Sequence, residues 1–283
     1  MQSTKSEGSA KVTSHRVGVL GGELAYDEDG RGEPVLFIHS AIADRRMWED
    51  QSAHFSRDHR VVCFDLRGFG GSSPASGEFS YTDDIHSLLT HLRISRAFLV
   101  GCSMGGAFAI DFALAYPQMV SGLLLAAPGL SGGVEAPFEP DEKSAFEYDE
   151  KKSEKITEAW SKGDRGEAIE LLRQLWCSAL TGPSLDLFRT MVEENSAEVF
   201  ENQSMKLATN PPPAYVRLGE IRMPTTILIG DQDNPSSPVF ARRIARGIPR
   251  ARLVNVPGAD HLVNLSTPKA FDVELTAALR KLG

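Results

Sequence analysis

Along the chain, short runs of consecutive apolar residues alternate with longer stretches in which apolar positions recur at helical spacing. The runs are VLFIH (35–39), RVVCFD (60–65), AFLVG (97–101), SGLLLAA (121–127), TTILIG (225–230) and ARLVNV (251–256). Runs this apolar suit parallel strands covered on both faces, and the segments between them are long enough for crossover helices. Ahead of them, HRVGVL (15–20) and ELAYDEDG (23–30) read as two strands meeting at Gly21-Gly22, which predicts an antiparallel hairpin at the sheet edge. The expected architecture is α/β: a mostly parallel central sheet with helices on both faces.

One interval breaks this rhythm. Between Ala127 and Thr225 no strand-like run occurs, whereas Ala168, Ile169, Leu171, Leu172, Leu175 and Trp176 fall on one face of an amphipathic helix. Charged helical stretches flank it, and Pro211-Pro212-Pro213 closes the region. The domain reading is a polar leader (1–14), a core (15–131 and 214–283) and a helical insertion (132–213) docked on the sheet. No internal repeat competes with it.

Composition narrows the functional classes. The 283 residues can bury a full core, and the net charge of −8 is spread without a basic stripe, so nucleic acid is not an expected partner. The N-terminus lacks the pattern of a secretory signal and no apolar run is long enough to span a bilayer, from which no membrane partner and a cytoplasmic location are expected. Cys63, Cys102 and Cys177 read as reduced thiols, since three cannot all pair and two of them sit in apolar runs.

The candidate chemistry begins at Gly101-Cys102-Ser103-Met104-Gly105, a G-x-S-x-G match. Alone the motif is weak, and Gly129-Leu130-Ser131-Gly132-Gly133 matches it too. Context separates them: Ser103 stands between an apolar strand and the helix-forming GGAFAIDFALAY, while Ser131 is followed by a proline-containing stretch with no early helix. A serine hydroxyl needs an adjacent base to become a nucleophile. Of seven histidines only His261 follows Ser103, in a loop after the last apolar run. The base needs a carboxylate to fix its tautomer, and Asp231 and Asp233 lie beyond the end of TTILIG. Asp233, further into the loop, is preferred to Asp231; Asp260 adjoins His261 and is expected to point elsewhere. For the developing oxyanion, the donors expected are the backbone N–H groups of Met104 and of Ala41, the latter in the loop after the first parallel run. Met47, Trp48 and Leu130 are candidate pocket residues, weighed against a plain core role.

These motifs together resemble the α/β-hydrolase superfamily from about Arg16 to the C-terminus. FDLRGFGGSS (64–73) resembles its D-x-R-G-x-G-x-S loop, and GDQD and ADHLVNLSTP resemble its acid and base segments. The chain has His39-Ser40 where the family usually carries His-Gly. HSAIADRRMWEDQ (39–51) is similar to the corresponding stretch of 3-oxoadipate enol-lactonases. GCSMGG also resembles the elbow of meta-cleavage C–C hydrolases, whose glycine-rich oxyanion loop is not seen in this sequence. Serine at position 103 argues against haloalkane dehalogenases and epoxide hydrolases, which carry aspartate there. The resemblance implies an α/β-hydrolase fold with a helical cap over the site and a serine hydrolase acting on a small ester or lactone. Hydrolysis of a C–C bond with the same triad, or a non-catalytic ligand-binding protein on the same fold, are the alternatives. No metal or organic cofactor is implied.

Overall fold

The computed structural model describes residues 14–74, 79–135, 137–201 and 212–282. Residues 1–13 of the leader and Pro211 of the proline run lie outside the described residues. Eight strands form one sheet: β1 (His15–Val19), β2 (Gly22–Asp29), β3 (Pro34–Ile38), β4 (Arg60–Phe64), β5 (Ala97–Cys102), β6 (Val120–Ala126), β7 (Thr225–Gly230) and β8 (Arg252–Val256), in the order β1-β2-β4-β3-β5-β6-β7-β8. Each strand expected from the apolar runs is present. β2 pairs antiparallel with β1 and β4, and the remaining pairs are parallel. The hairpin turns at Leu20-Gly21, where Gly21 takes φ of 72° without the clash a Cβ would bring.

Helices α1 (Glu49–Phe55), α2 (Tyr81–His91), α3 (Met104–Ala115), α4 (Pro140–Ser161), α5 (Arg165–Trp176), α6 (Gly182–Glu194), α7 (Ser237–Gly247), α8 (Val263–Ser266) and α9 (Pro268–Leu279) complete the order. Strand alternation divides the core into two layers. Leu36, Ile38, Leu99, Leu123, Leu125, Ile227 and Ile229 pack with Ile85 and Leu88 of α2, Phe108 and Phe112 of α3 and Ile244 of α7. Their neighbours Val35, Phe37, Phe98, Val100, Leu124 and Leu228 face the other way, against Phe55 of α1 and Phe271 and Leu275 of α9. Both faces are therefore dry, which is why these strands read as continuous apolar runs rather than alternating ones. With β4 and β5 on either side of β3, chain order reverses at β3, and α/β sheets bind ligands in the crevice beyond the strand ends at such a point.

The break in rhythm is an insertion of α4, α5 and α6 between β6 and β7. α4 ends at Ser161 with Lys162 as its C-cap, Gly163 follows in the left-handed region at φ 79°, and Asp164 caps α5 by accepting from the Glu167 N–H at 3.1 Å. The amphipathic pattern of α5 works as expected. Ala168, Leu172 and Leu175 are buried, and this face turns towards the C-terminal ends of the strands.

Candidate active site

Ser103 sits between the end of β5 and the start of α3 at φ 54° and ψ −116°, a backbone conformation that costs a non-glycine residue about 1–3 kcal/mol. The surrounding chain holds it there. The Ser103 N–H donates to the Ala126 carbonyl at 2.9 Å, and the Ser103 carbonyl accepts from Gly106, Ala107 and Gly129. The turn also requires its glycines. A Cβ at Gly101 would lie 2.4 Å from the Gly105 carbonyl oxygen, and one at Gly105 would lie 2.3 Å from that of Ile38.

His261 follows β8, with its ring almost fully enclosed and its Nδ1 at 3.0 and 3.2 Å from the two carboxylate oxygens of Asp233. Asp233 lies in the loop after β7 with its side chain fully buried. The two neighbouring carboxylates do other work. Asp231 accepts from the Gly258 N–H at 2.7 Å, tying the loops after β7 and β8 together. Asp260 turns away from the site and accepts from the backbone of Ala179 and Leu262, and burial raises its carboxyl pKa against the lowering pull of Ser266.

Ser103, His261, Ala41 and Met104 line one cavity of about 350 Å³ beyond the strand ends, with Ser40, Ile42 and Phe69 beside them. Among the described residues, the N–H groups of Ala41 and Met104 have no partner within the chain. The loop carrying Ala41 is fixed by His39. Its Nδ1 lies 2.8 Å from the Ser40 carbonyl oxygen, which can only accept, so Nδ1 carries the proton and Nε2 accepts from the Leu66 N–H at 2.9 Å. Burial lowers the His39 pKa, which favours this neutral form.

The insertion supplies Ser153 and Ile156 of α4, Leu172 and Trp176 of α5, and Glu198 and Val199 from the turn after α6 to the cavity wall. Trp176 is bound closely to His261: its ring centroid lies 4.5 Å from that of the imidazole, and its carbonyl accepts from the His261 N–H at 3.1 Å. Further on, Asn195 donates to Asp44 at 2.8 Å and accepts from the Gly70 N–H at 2.7 Å, joining the end of α6 to the loops after β3 and β4. Among the described residues no group of three or more His, Cys, Asp or Glu side chains is arranged to hold a metal, and no helix is long and apolar enough to cross a membrane.

Three pocket expectations need correction. Trp48 is fully buried between Phe37 and Phe271, Met47 is buried beside it with its carbonyl accepting from Asn264, and neither reaches the cavity. They turn into the layer under α9 because the 3₁₀ turn Arg45–Trp48 places them on its inner side. Leu130 packs in the opposite layer and is likewise absent from the wall. Ser131 is occupied elsewhere, donating to Asp111 at 2.6 Å. The wall residues missed in the sequence come mainly from the insertion; only Leu172 and Trp176 carried a signal, as part of the amphipathic stripe.

A profile of the alpha/beta hydrolase family matches residues 35–272, which span the sheet from β3 onwards and every element carrying the residues above. The chain belongs to this family. It is similar to 3-oxoadipate enol-lactonase 2 of Acinetobacter baylyi, at 24% identity over 87% of this chain and 88% of that protein. Among solved structures, a thermophilic esterase from Thermogutta terrifontis superposes with a TM-score of 0.74 at 28% identity, covering 96% of this chain and 99% of that one. Est816, described as an N-acyl homoserine lactone degrading enzyme, matches with a TM-score of 0.69 at 26% identity over 93% of this chain and 99% of its own. Family and relatives together support hydrolytic activity.

Proposed function

We propose that this protein is a serine hydrolase that cleaves a carboxylic ester or lactone through an acyl-enzyme. Ser103 is the nucleophile, His261 the general base and Asp233 the orienting acid. The observation that carries this reading is the 3.0 Å contact from His261 Nδ1 to a buried Asp233, with Ser103 held on a strained turn in the same cavity. With its Nδ1–H donated to Asp233, the imidazole presents an unprotonated Nε2, the state required of a base. Ser103 Oγ attacks the carbonyl carbon as His261 takes its proton. The negative charge then forms on the carbonyl oxygen, where the N–H groups of Met104 and Ala41 stabilise it by about 3 kcal/mol for each donor. Collapse expels the alcohol, which receives the proton from His261, and a water attacks the acyl-enzyme by the same route in reverse.

The wall favours a largely apolar acyl group that carries no negative charge. Ile42, Phe69, Met104, Ile156, Leu172, Trp176 and Val199 form most of it, and no Lys or Arg is found among its described residues to receive a substrate carboxylate. In this reading α4, α5 and α6 act as a cap that shapes the pocket. The test is labelling with a fluorophosphonate, alongside turnover of neutral esters, neutral lactones and carboxylate-bearing lactones. The expected result is stoichiometric labelling of the wild type, none of Ser103→Ala, and preference for the neutral substrates. Equal labelling of Ser103→Ala would remove the nucleophile from the scheme, and an unlabelled, inactive wild type would favour a binding protein.

A further inference from the structure

The strand ends do not hold the Asp233–His261 pair alone. Asp149, in the middle of α4 and 8% exposed, accepts from Asn234 Nδ2 at 2.6 Å. Asn234 directly follows Asp233, and its own N–H donates to Asp233 Oδ1 at 2.7 Å. The other end of its amide, Oδ1, receives the Ser237 N–H at 3.2 Å and the Ser237 hydroxyl. Ser237 Oγ in turn lies 3.3 Å from His261 Nδ1.

The donors and acceptors in this chain admit one order. A backbone N–H only donates, so the Asn234 atom facing Ser237 is the oxygen, and the amide NH₂ faces the Asp149 carboxylate. An amide oxygen only accepts, so the single proton of the Ser237 hydroxyl points at Asn234. Ser237 therefore offers His261 Nδ1 a lone pair. That favours a proton on Nδ1, the same demand Asp233 makes, and leaves Nε2 free as the base.

We propose that Asp149 is a positioning residue which, through Asn234 and Ser237, holds the acid loop and the hydroxyl proton in the order that keeps His261 in its basic tautomer, so that the reaction depends on the seated insertion. The proposal rests on the Ser103–His261–Asp233 reading and adds a group from outside the sheet domain. Without the carboxylate the NH₂ end of the Asn234 amide keeps only the longer 3.3 Å bond to Ser236 Oγ, and the amide is held less firmly. The Ser237 hydroxyl can then turn its proton towards Nδ1 and oppose the productive tautomer.

The experiment compares Asp149→Leu, near in size but without an acceptor, with Asp149→Asn, which keeps an acceptor oxygen. Each is made in the wild-type and Ser237→Ala backgrounds. A small acetate ester is the substrate. The expected result for Asp149→Leu is a kcat lowered about three- to tenfold, as for one lost hydrogen bond in the network, with KM within about twofold. Asp149→Asn should recover at least half of the activity. In the Ser237→Ala background, Asp149→Leu should cost less than about twofold more, because both changes break one chain. Full kcat in folded Asp149→Leu, equal losses in the leucine and asparagine variants, or an undiminished loss in the Ser237→Ala background would each overturn the proposal. Should Asp149→Leu fail to fold by circular dichroism, Asp149→Ala takes its place in the same comparison. A readout that needs no turnover is the low-field proton resonance of His261 Nδ1–H. It should shift or broaden in Asp149→Leu and return in Asp149→Asn, and an unchanged resonance in Asp149→Leu would overturn the proposal even if no ester proved to be a substrate.

Discussion

Gly105→Ala adds one methyl group where α3 passes the end of β3. The new Cβ would stand 2.3 Å from the Ile38 carbonyl oxygen and 2.5 Å from that of His39, both backbone atoms that cannot rotate aside. Ordinary contact begins near 3.4 Å. Helix and strand end must therefore separate by about 1 Å, and a misplacement of that size at a reacting centre can cost on the order of 100-fold in rate. The separated parts are the ones that matter: Ser103 and Met104 move with α3, and Ala41 with the chain after β3. Stability should change less than activity. Overpacking costs about 1–3 kcal/mol, but alanine in place of a helical glycine returns about 1 kcal/mol of propensity. The expected result is a folded protein with kcat/KM for a small ester lowered at least 30-fold and a melting temperature only a few degrees lower. Gly166→Ala is the control, since its nearest neighbour would be a side-chain oxygen at 3.9 Å in the first turn of α5, and it should leave activity unchanged. A Gly105→Ala protein within threefold of wild type would refute the claim that this close approach sets the distance between Ser103 and the loop of Ala41.

Asp233→Asn should lower kcat on the order of 10³- to 10⁴-fold, because an amide can hold His261 in the wrong tautomer, while Asp231→Asn should cost less than about tenfold; steady-state kinetics on one ester would show the reverse ranking if the acid were misassigned. Ser103→Ala and His261→Ala should each abolish nearly all turnover, and the double variant should be no worse than either, with multiplied losses pointing to independent roles. The buried His39 should make stability pH-dependent. Its pKa is lowered below the unfolded value of 6.5, so the unfolded chain takes up the proton first, and stability that is complete above pH 6.5 is lost as pH falls from there towards the folded pKa. Thermal melts of wild type and His39→Gln between pH 8 and pH 5 should converge towards the acid end, and parallel curves would contradict the lowered pKa.

The sheet and the turn at Ser103 were legible because each depends on a local pattern. A strand covered on both faces needs an unbroken apolar run, the turn at Ser103 needs glycine where Cβ atoms would strike backbone, and both signals lie within a few residues of what they specify. Asp231 and Asp233 both reach the loop after β8, the first at the Gly258 N–H and the second at the His261 ring, a division that position along the loop alone does not dictate. Pocket residues obey no such rule. Met47 and Trp48 share a turn close to Ala41, yet the 3₁₀ turn sends them into the core while Ala41 faces the cavity, and nothing in the spacing distinguishes these outcomes.

The inserted helices were the least legible part for a related reason. Their amphipathic stripe announces that a face is buried but not against what. The contacts supply the answer. The Trp176 carbonyl holds the His261 N–H, Ala179 is bound by Asp260 next to that histidine, Asn195 joins the loops after β3 and β4, and Asp149 grips the residue after Asp233. Each of these is a polar pair separated widely in sequence, formed by residue types that occur on any surface helix, so no window of sequence contains both partners. Such pairs lose little when made in place of water contacts and cost much when buried and left unmade, which gives the docked arrangement its specificity rather than its bulk stability. A substitution on α4 or α6 that leaves the cavity wall intact can therefore change kcat by loosening the loops beneath it, whereas one at Leu172 should change which substrate fits.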